Sequence, residues 1–381
     1  MREALGNGRV LLDEGFVDGR VVLVENGKIA DIVGPDDARI GDAKRRDLGG
    51  ALLAPGFVDT QVNGGGGVLF NDDPSVETIR TIGRAHRRFG TTSFLPTLIS
   101  DDLSTLLRAI GAVRDAIKGG VPGVAGVHLE GPFLSEAKKG AHDHTKFRDL
   151  DREGIAMLSS LELGRTLVTL APEETTPDTI AKLVKAGVVV SAGHTDATFG
   201  EMRAALDHGL SGFTHLFNAM SPLTNREPGA VGAALDDENS WCGIIVDGRH
   251  VSPVVLRIAL RAKRNDRFML VTDAMPSVGA DRPEFLLQGK RITVKDGVCV
   301  DESGTISGSA IDMASSVRNA VTLLGLPLAE AARMASTYPA EFLGLGREIG
   351  RVAPGYRANL VAMDERVGVQ ETWIDGVSSR A

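Results

Sequence analysis

Unbroken apolar runs recur along the middle of the chain, at residues 52–62, 92–99, 124–130, 166–171, 188–194, 212–217, 242–246 and 268–272. Continuous rather than alternating apolar runs are what parallel strands covered on both faces require. Between them lie segments with helical spacing of apolar positions, at 75–89, 102–117, 177–186, 197–208 and 253–262. Eight such strands alternating with helices predict an α/β fold and favour a closed (β/α)8 TIM-like barrel over an open doubly wound sheet. The ends have a different texture. Residues 1–50 alternate short apolar stretches with turn clusters such as Glu25-Asn26-Gly27 and Gly34-Pro35-Asp36, and the same pattern returns beyond about residue 350. The expectation is one small β-sandwich domain built from residues 1–50 and 349–381, around a barrel at 51–348.

Polar residues able to do chemistry fall at the C-terminal ends of the predicted strands, where barrel enzymes place their active sites. Strand one ends in Asp59-Thr60-Gln61-Val62-Asn63, strand three in Glu130, strand five in His194, strand six in His215, strand seven in Asp247-Gly248-Arg249-His250 and strand eight in Asp273. One such residue alone would more often be structural. Their coincidence at six strand ends points to a site. Glu130, His194 and His215 form a carboxylate and imidazole set that leaves a coordination position open for water on a divalent metal. Asp273 is then the natural base for that water. A phosphate would suit the Asn218-Ala219 backbone with Arg226 and His250, because a guanidinium and convergent N–H donors match phosphate oxygens. The glycines at 64–67 lack the Lys-Ser/Thr of a phosphate-binding P-loop.

Composition narrows the field. With 43% hydrophobic and 24% charged residues the chain reads as an ordinary globular protein. The net charge of −8 lacks the basic footprint of a nucleic-acid binder, so an anionic ligand must be held by a few local cations. No apolar run reaches membrane-spanning length, and the first residues lack the apolar core of a signal peptide, which reads as cytoplasmic. Cys242 and Cys299, far apart in apolar runs, fit reduced core thiols.

The segments QVNGGGGVLFND, HLEGPFLSEAKKGAHD, SAGHTDATF, THLFNAMSPLTNREPG, GIIVDGRHV and LVTDAMPSVG strongly resemble those of N-acetylglucosamine-6-phosphate deacetylases of the amidohydrolase superfamily, and the likeness runs on through GTISGSAIDM to GRVAPGYRANLVAMD. The resemblance implies metal-dependent hydrolysis of the acetamido group of N-acetyl-D-glucosamine 6-phosphate to D-glucosamine 6-phosphate and acetate; the same reaction on N-acetyl-D-galactosamine 6-phosphate is the alternative. By resemblance Glu130, His194 and His215 are metal ligands, Asp273 is the catalytic acid/base, and His142 sits beside the acetamido carbonyl. It also implies that Asn218, Ala219, Arg226 and His250 meet the sugar phosphate, with Arg226 and His250 reaching over from the second subunit of a homodimer. A substrate-covering loop is implied at 304–311, with Ile306 and Gly308 in contact with substrate. One departure from the wider superfamily stands out: Gln61-Val62-Asn63 replaces the His-x-His usual at the end of strand one. Amides are far poorer ligands for such cations, so one divalent metal per subunit is expected, zinc or ferrous iron, with Gln61 and Asn63 positioning water or shaping the pocket.

Overall fold

The computed structural model describes residues 2–295 and 297–380. Eight parallel strands form the central sheet: β1 (Phe57–Val62), β2 (Thr91–Ile99), β3 (Gly126–Glu130), β4 (Arg165–Leu170), β5 (Val189–Ala192), β6 (Gly212–Phe213), β7 (Trp241–Ile244) and β8 (Phe268–Leu270). Each pairs with its sequence neighbour, the order expected of a TIM-like barrel. The ring closes just beyond β8, where Asp273 N donates to Gln61 O at 3.0 Å, Asn63 N donates to Ala274 O at 3.0 Å, and Val62 bridges Ala274 in parallel. Val58, Leu95, Leu167, Ile245, Met269 and Val271 pack together as one cluster that continues onto Ala340 and Phe342.

The helices begin where the chain offers caps. Ser75 accepts from Thr78 N ahead of Val76–Arg87, and Thr176 accepts from Thr179 N ahead of Pro177–Lys185, whose first residue needs no amide proton. Thr198 and Glu201 cap each other reciprocally at the start of Phe199–Asp207.

The apolar run at 52–62 is two strands rather than one. Leu52–Pro55 pairs with Arg9–Leu12 and Leu360–Met363 in a six-stranded sheet drawn from both chain ends, whereas β1 starts at Phe57. Between them Gly56 passes so close to the Thr92 side chain that any Cβ would collide with it. A second, four-stranded sheet of N-terminal strands lies against the first. Leu5, Val10, Val22, Ile29, Leu53, Leu360 and Trp373 form the apolar layer between them, a small sandwich as the texture of the two ends suggested.

After β8 the chain makes an antiparallel meander of β9 (Glu284–Leu287), β10 (Lys290–Lys295), β11 (Val298–Asp301) and β12 (Ile306–Ser309). Half of the covering loop expected at 304–311, Ile306–Ser309, is a strand at the edge of this meander, held to β11 by antiparallel pairing. Among the described residues no helix is long and apolar enough to cross a membrane.

Candidate active site

Glu130 ends β3, and His194 and His215 each stand two residues beyond β5 and β6. Glu130 Oε1 lies 3.2 Å from His194 Nε2 and 3.0 Å from His215 Nε2, and the two nitrogens are 3.2 Å apart. All three side chains are buried. His194 Nδ1 faces the Lys138 carbonyl at 2.9 Å; a carbonyl only accepts, so Nδ1 carries a proton there and the ring is oriented with Nε2 toward Glu130 and His215. Burial pushes the Glu130 carboxyl up, but the bonds and charges of the two histidines outweigh it and hold the group well below the usual carboxylate range. Burial likewise presses His215 down, and the Glu130 bond and charge raise it instead. The cluster thus attracts positive charge to its centre. One carboxylate oxygen and two imidazole nitrogens at this spacing fit a divalent cation with a position left for water. Among the described residues no other three metal-ligating side chains converge in this way.

Asp273 stands beside the cluster. Its Oδ1 accepts from Asn63 Nδ2 at 2.6 Å and from Gln61 Nε2 at 3.1 Å, and Gln61 Nε2 also donates to Glu130 Oε2 at 3.1 Å. Burial, followed by the Glu130 charge, lifts the Asp273 carboxyl to about 6, near the range in which a carboxylate can both take and return a proton. Gln61 and Asn63 are themselves almost wholly buried, at 2% and 1% exposure, and their amide N–H groups point at carboxylates.

The open side is a cavity of about 180 Å³ lined by Glu130, His142, His194, His215, Asn218, Ala219, His250, Asp273, Ile306 and Gly308, with apolar walls from Ile99, Ile245, Met275 and Leu287. His142 Nδ1 receives the Ser100 backbone N–H at 3.4 Å and lies 2.8 Å from Ser100 Oγ, which leaves its proton on Nε2. Burial, then the neighbouring His194, presses its pKa down to about 3, so the ring is neutral. His250 Nδ1 meets Asp247 Oδ2 at 2.6 Å, leaving Nε2 for a ligand. His250 lines the cavity of its own chain. Arg226 lies elsewhere, exposed on the surface and outside the cavity lining. A larger groove of about 570 Å³ over the terminal sheets, among Arg9, Arg20, Arg45 and Arg46, contains none of the strand-end chemistry.

Four of the residues that build the site adopt left-handed backbone: His194 (φ 49°), His215 (35°), Ala219 (49°) and Asp273 (52°). Such strain in non-glycine residues gathers where function holds it. Sequence reasoning did not single out Ser100 or Gln288, which support the His142 segment, because neither carries a periodic or motif signal. Asp59 stood in the strand-one motif without a role; it lies beneath Thr272.

The model of the amidohydrolase family matches residues 52–378. The chain is 44% identical to the N-acetylgalactosamine-6-phosphate deacetylase of Shewanella sp. (strain ANA-3), over 97% of this chain and 93% of that protein. It is 38% identical to the N-acetylglucosamine-6-phosphate deacetylase of Haemophilus influenzae, over 93% of each. The crystal structure of N-acetylglucosamine-6-phosphate deacetylase from Pasteurella multocida superposes with a TM-score of 0.96, at 37% identity and over the whole of both chains. The chain belongs to the amidohydrolase family, alongside the amino-sugar phosphate deacetylases.

Proposed function

We propose that this chain hydrolyses the acetamido group of N-acetyl-D-glucosamine 6-phosphate to the free amine and acetate. The observation that carries the reading is the meeting of the Glu130, His194 and His215 donors with a raised-pKa Asp273 in one cavity. Glu130, His194 and His215 would hold a divalent cation, which would supply Lewis-acid activation of a water and of the acetamido oxygen. Asp273, fixed by Gln61 and Asn63, takes the proton of the attacking water and returns it to the leaving amine nitrogen. His142, neutral and protonated on Nε2, donates to the acetamido oxygen as negative charge grows there. Asn218, Ala219 and His250 line the same cavity and suit the sugar phosphate, with Ile306 and Gly308 over the sugar. Two hydrogen bonds from Asn218 Nδ2 to the His215 and Leu216 carbonyls fix that turn.

One cation per chain fits the donor set. An amide nitrogen has no free lone pair, and the Gln61 and Asn63 nitrogens are engaged with carboxylates where a second metal would need imidazoles. Zinc or ferrous iron suits two imidazoles and a carboxylate.

Arg226 is proposed to act on the phosphate in a neighbouring subunit. It projects from a turn fixed by Thr224 Oγ1 donating to Glu227 O at 2.8 Å, and Glu227 Oε1 in turn accepts from Phe199 N and Gly229 N. Leu223, three residues before Arg226, and Ile258 are 56% and 57% exposed and line one groove, an apolar surface suited to a second copy of this chain.

The Shewanella relative supports a second substrate, N-acetyl-D-galactosamine 6-phosphate, which differs in the configuration of one hydroxyl. Acetate release from both epimers at equal concentration, before and after chelation and after adding back one equivalent of zinc or ferrous iron, tests the reading. Turnover of the gluco substrate restored by a single equivalent supports it. Turnover confined to the galacto epimer would overturn the substrate, and none with either would overturn the reaction.

A further inference from the structure

The tip of the β9–β10 hairpin is Gln288-Gly289, with both residues in left-handed backbone at φ 48° and 80°. Such two-residue turns are at home with Asn, Asp or Gly in the first position, and a glutamine there is disfavoured. Its side chain is half-buried and engaged at both ends. Oε1 accepts from Asp143 N at 2.8 Å, and Nε2 donates to Ser100 O at 2.8 Å. The two partners flank one residue of the site. Asp143 follows His142 in the chain, and Ser100 supplies the hydroxyl and the backbone N–H that meet His142 Nδ1.

We propose that Gln288 is a positioning residue for deacetylation: by clasping the Asp143 amide and the Ser100 carbonyl, it fixes the His142 ring so that its Nε2–H meets the acetamido oxygen. An amide suits this place because it offers one acceptor to a backbone N–H and one donor to a backbone C=O. Glutamate retains the acceptor and loses the donor to Ser100 O. Alanine loses both. The same clasp holds Leu287, the residue before it, in the cavity wall. Gln288 is not itself among the residues that line the cavity, so it acts through His142.

The inference rests on the role proposed for His142, and the experiment separates the two. The metal-loaded enzyme, Gln288→Ala, His142→Gln and the double variant are compared for kcat and KM in acetate release. The expected result is a fall in kcat of about tenfold for Gln288→Ala with little change in KM, and less than about a twofold further fall when Gln288→Ala is added to His142→Gln. Gln288→Glu is expected to resemble Gln288→Ala, and it serves for the same cycle if the alanine variant does not fold. Multiplicative effects in the cycle, or a raised KM with kcat unchanged, would overturn the inference and leave Gln288 as a support of the hairpin that carries Leu287. A wild-type rate in His142→Gln alone would overturn the role of His142 itself.

Discussion

Asp59 is a buried carboxyl at the junction of β1 with Thr272, and replacing it tests how this end of the barrel balances burial against hydrogen bonding. Its Oδ1 accepts from Thr272 N and Gln61 N, each at 3.3 Å, and its Oδ2 accepts from Thr272 Oγ1 at 2.6 Å. Burial is the larger effect and favours the acid; the three donors favour the carboxylate, and the balance lifts the pKa from 3.8 to about 7. Once protonated, Oδ2 can donate to Thr272 Oγ1, whose own proton then turns to the Gln61 carbonyl 3.4 Å away. Asparagine reproduces that neutral arrangement, with Nδ2 donating to Thr272 Oγ1 and Oδ1 keeping both N–H donors. Because the folded pKa lies above the unfolded one, the folded state holds the extra proton. Wild-type stability from this group is therefore full below about pH 4 and is lost as pH rises to about 7, by roughly 4 kcal/mol in all. Asp59→Asn has nothing to titrate in that window. Its stability relative to wild type should rise by roughly 1.4 kcal/mol per pH unit between about pH 5 and 7 and level off above. Denaturant titration of both metal-loaded proteins across that range, followed through buried Trp373, measures the gap. A gap that stays constant, or that moves toward wild type as pH rises, would refute the reasoning and mean that three donors outweigh burial here.

Three further outcomes follow from the site. Asp273→Asn should retain its metal by elemental analysis while kcat falls by about 10²–10⁴-fold, because the isosteric amide keeps the volume but carries no proton between water and amine; near-wild-type turnover would remove Asp273 from the chemistry. His215→Ala should lose the bound metal together with activity, and a variant still holding one equivalent after dialysis would contradict the three-donor site. Arg226→Ala should raise KM for the sugar phosphate by about 10–100-fold, and mixing it with Asp273→Asn should restore part of the activity if each site borrows Arg226 from its neighbour; no recovery in verified mixed dimers would place that arginine in its own subunit's site or on solvent.

The catalytic end of the barrel was readable because its residues follow unbroken strands, and strand order then fixes where they meet. Helices were readable for a local reason, as Ser75, Thr176 and Thr198 both cap the structure and mark the sequence. The division of residues 52–62 was not, because one apolar pattern serves a sandwich strand and a barrel strand alike, and only the contact of Gly56 with Thr92 separates them. Residues 212–217 read as a full strand, yet β6 pairs only at Gly212–Phe213, since left-handed backbone at His215 and Phe217 turns the chain out of the sheet. The meander escaped the pattern because its strands mix charged and half-exposed positions, as in Lys290–Lys295. His250 follows strand seven and lines the cavity of its own chain, and sequence gives the strand end but not which way an imidazole faces. Asp247, three residues earlier, decides that.

The bonds that close the barrel lie next to the bonds that build the site. Beyond β8 the first and last strands are joined by Asp273 N to Gln61 O and by Thr272 Oγ1 to Asp59, immediately beside the side-chain bonds that hold Asp273. Each left-handed residue of the site also has its carbonyl captured by a particular N–H: His194 by Ser135, His215 by Asn218, Ala219 by Thr195 and Asp273 by Ser309, at 2.8 to 3.1 Å. A residue held in that backbone region costs of order 1–3 kcal/mol, and it persists only where its surroundings overdetermine it. The captured carbonyls provide that restraint from four different segments of the chain. A pleated strand would send successive side chains to opposite faces, whereas a left-handed turn at the strand's end redirects one side chain over the rim. His194, His215 and Asp273 all make that turn, and Glu130, still within β3, does not. Three donors and a base thus converge on one point because strain at three strand ends is held by N–H groups of other segments and turns, at Asp273 immediately beside the seam where the barrel closes.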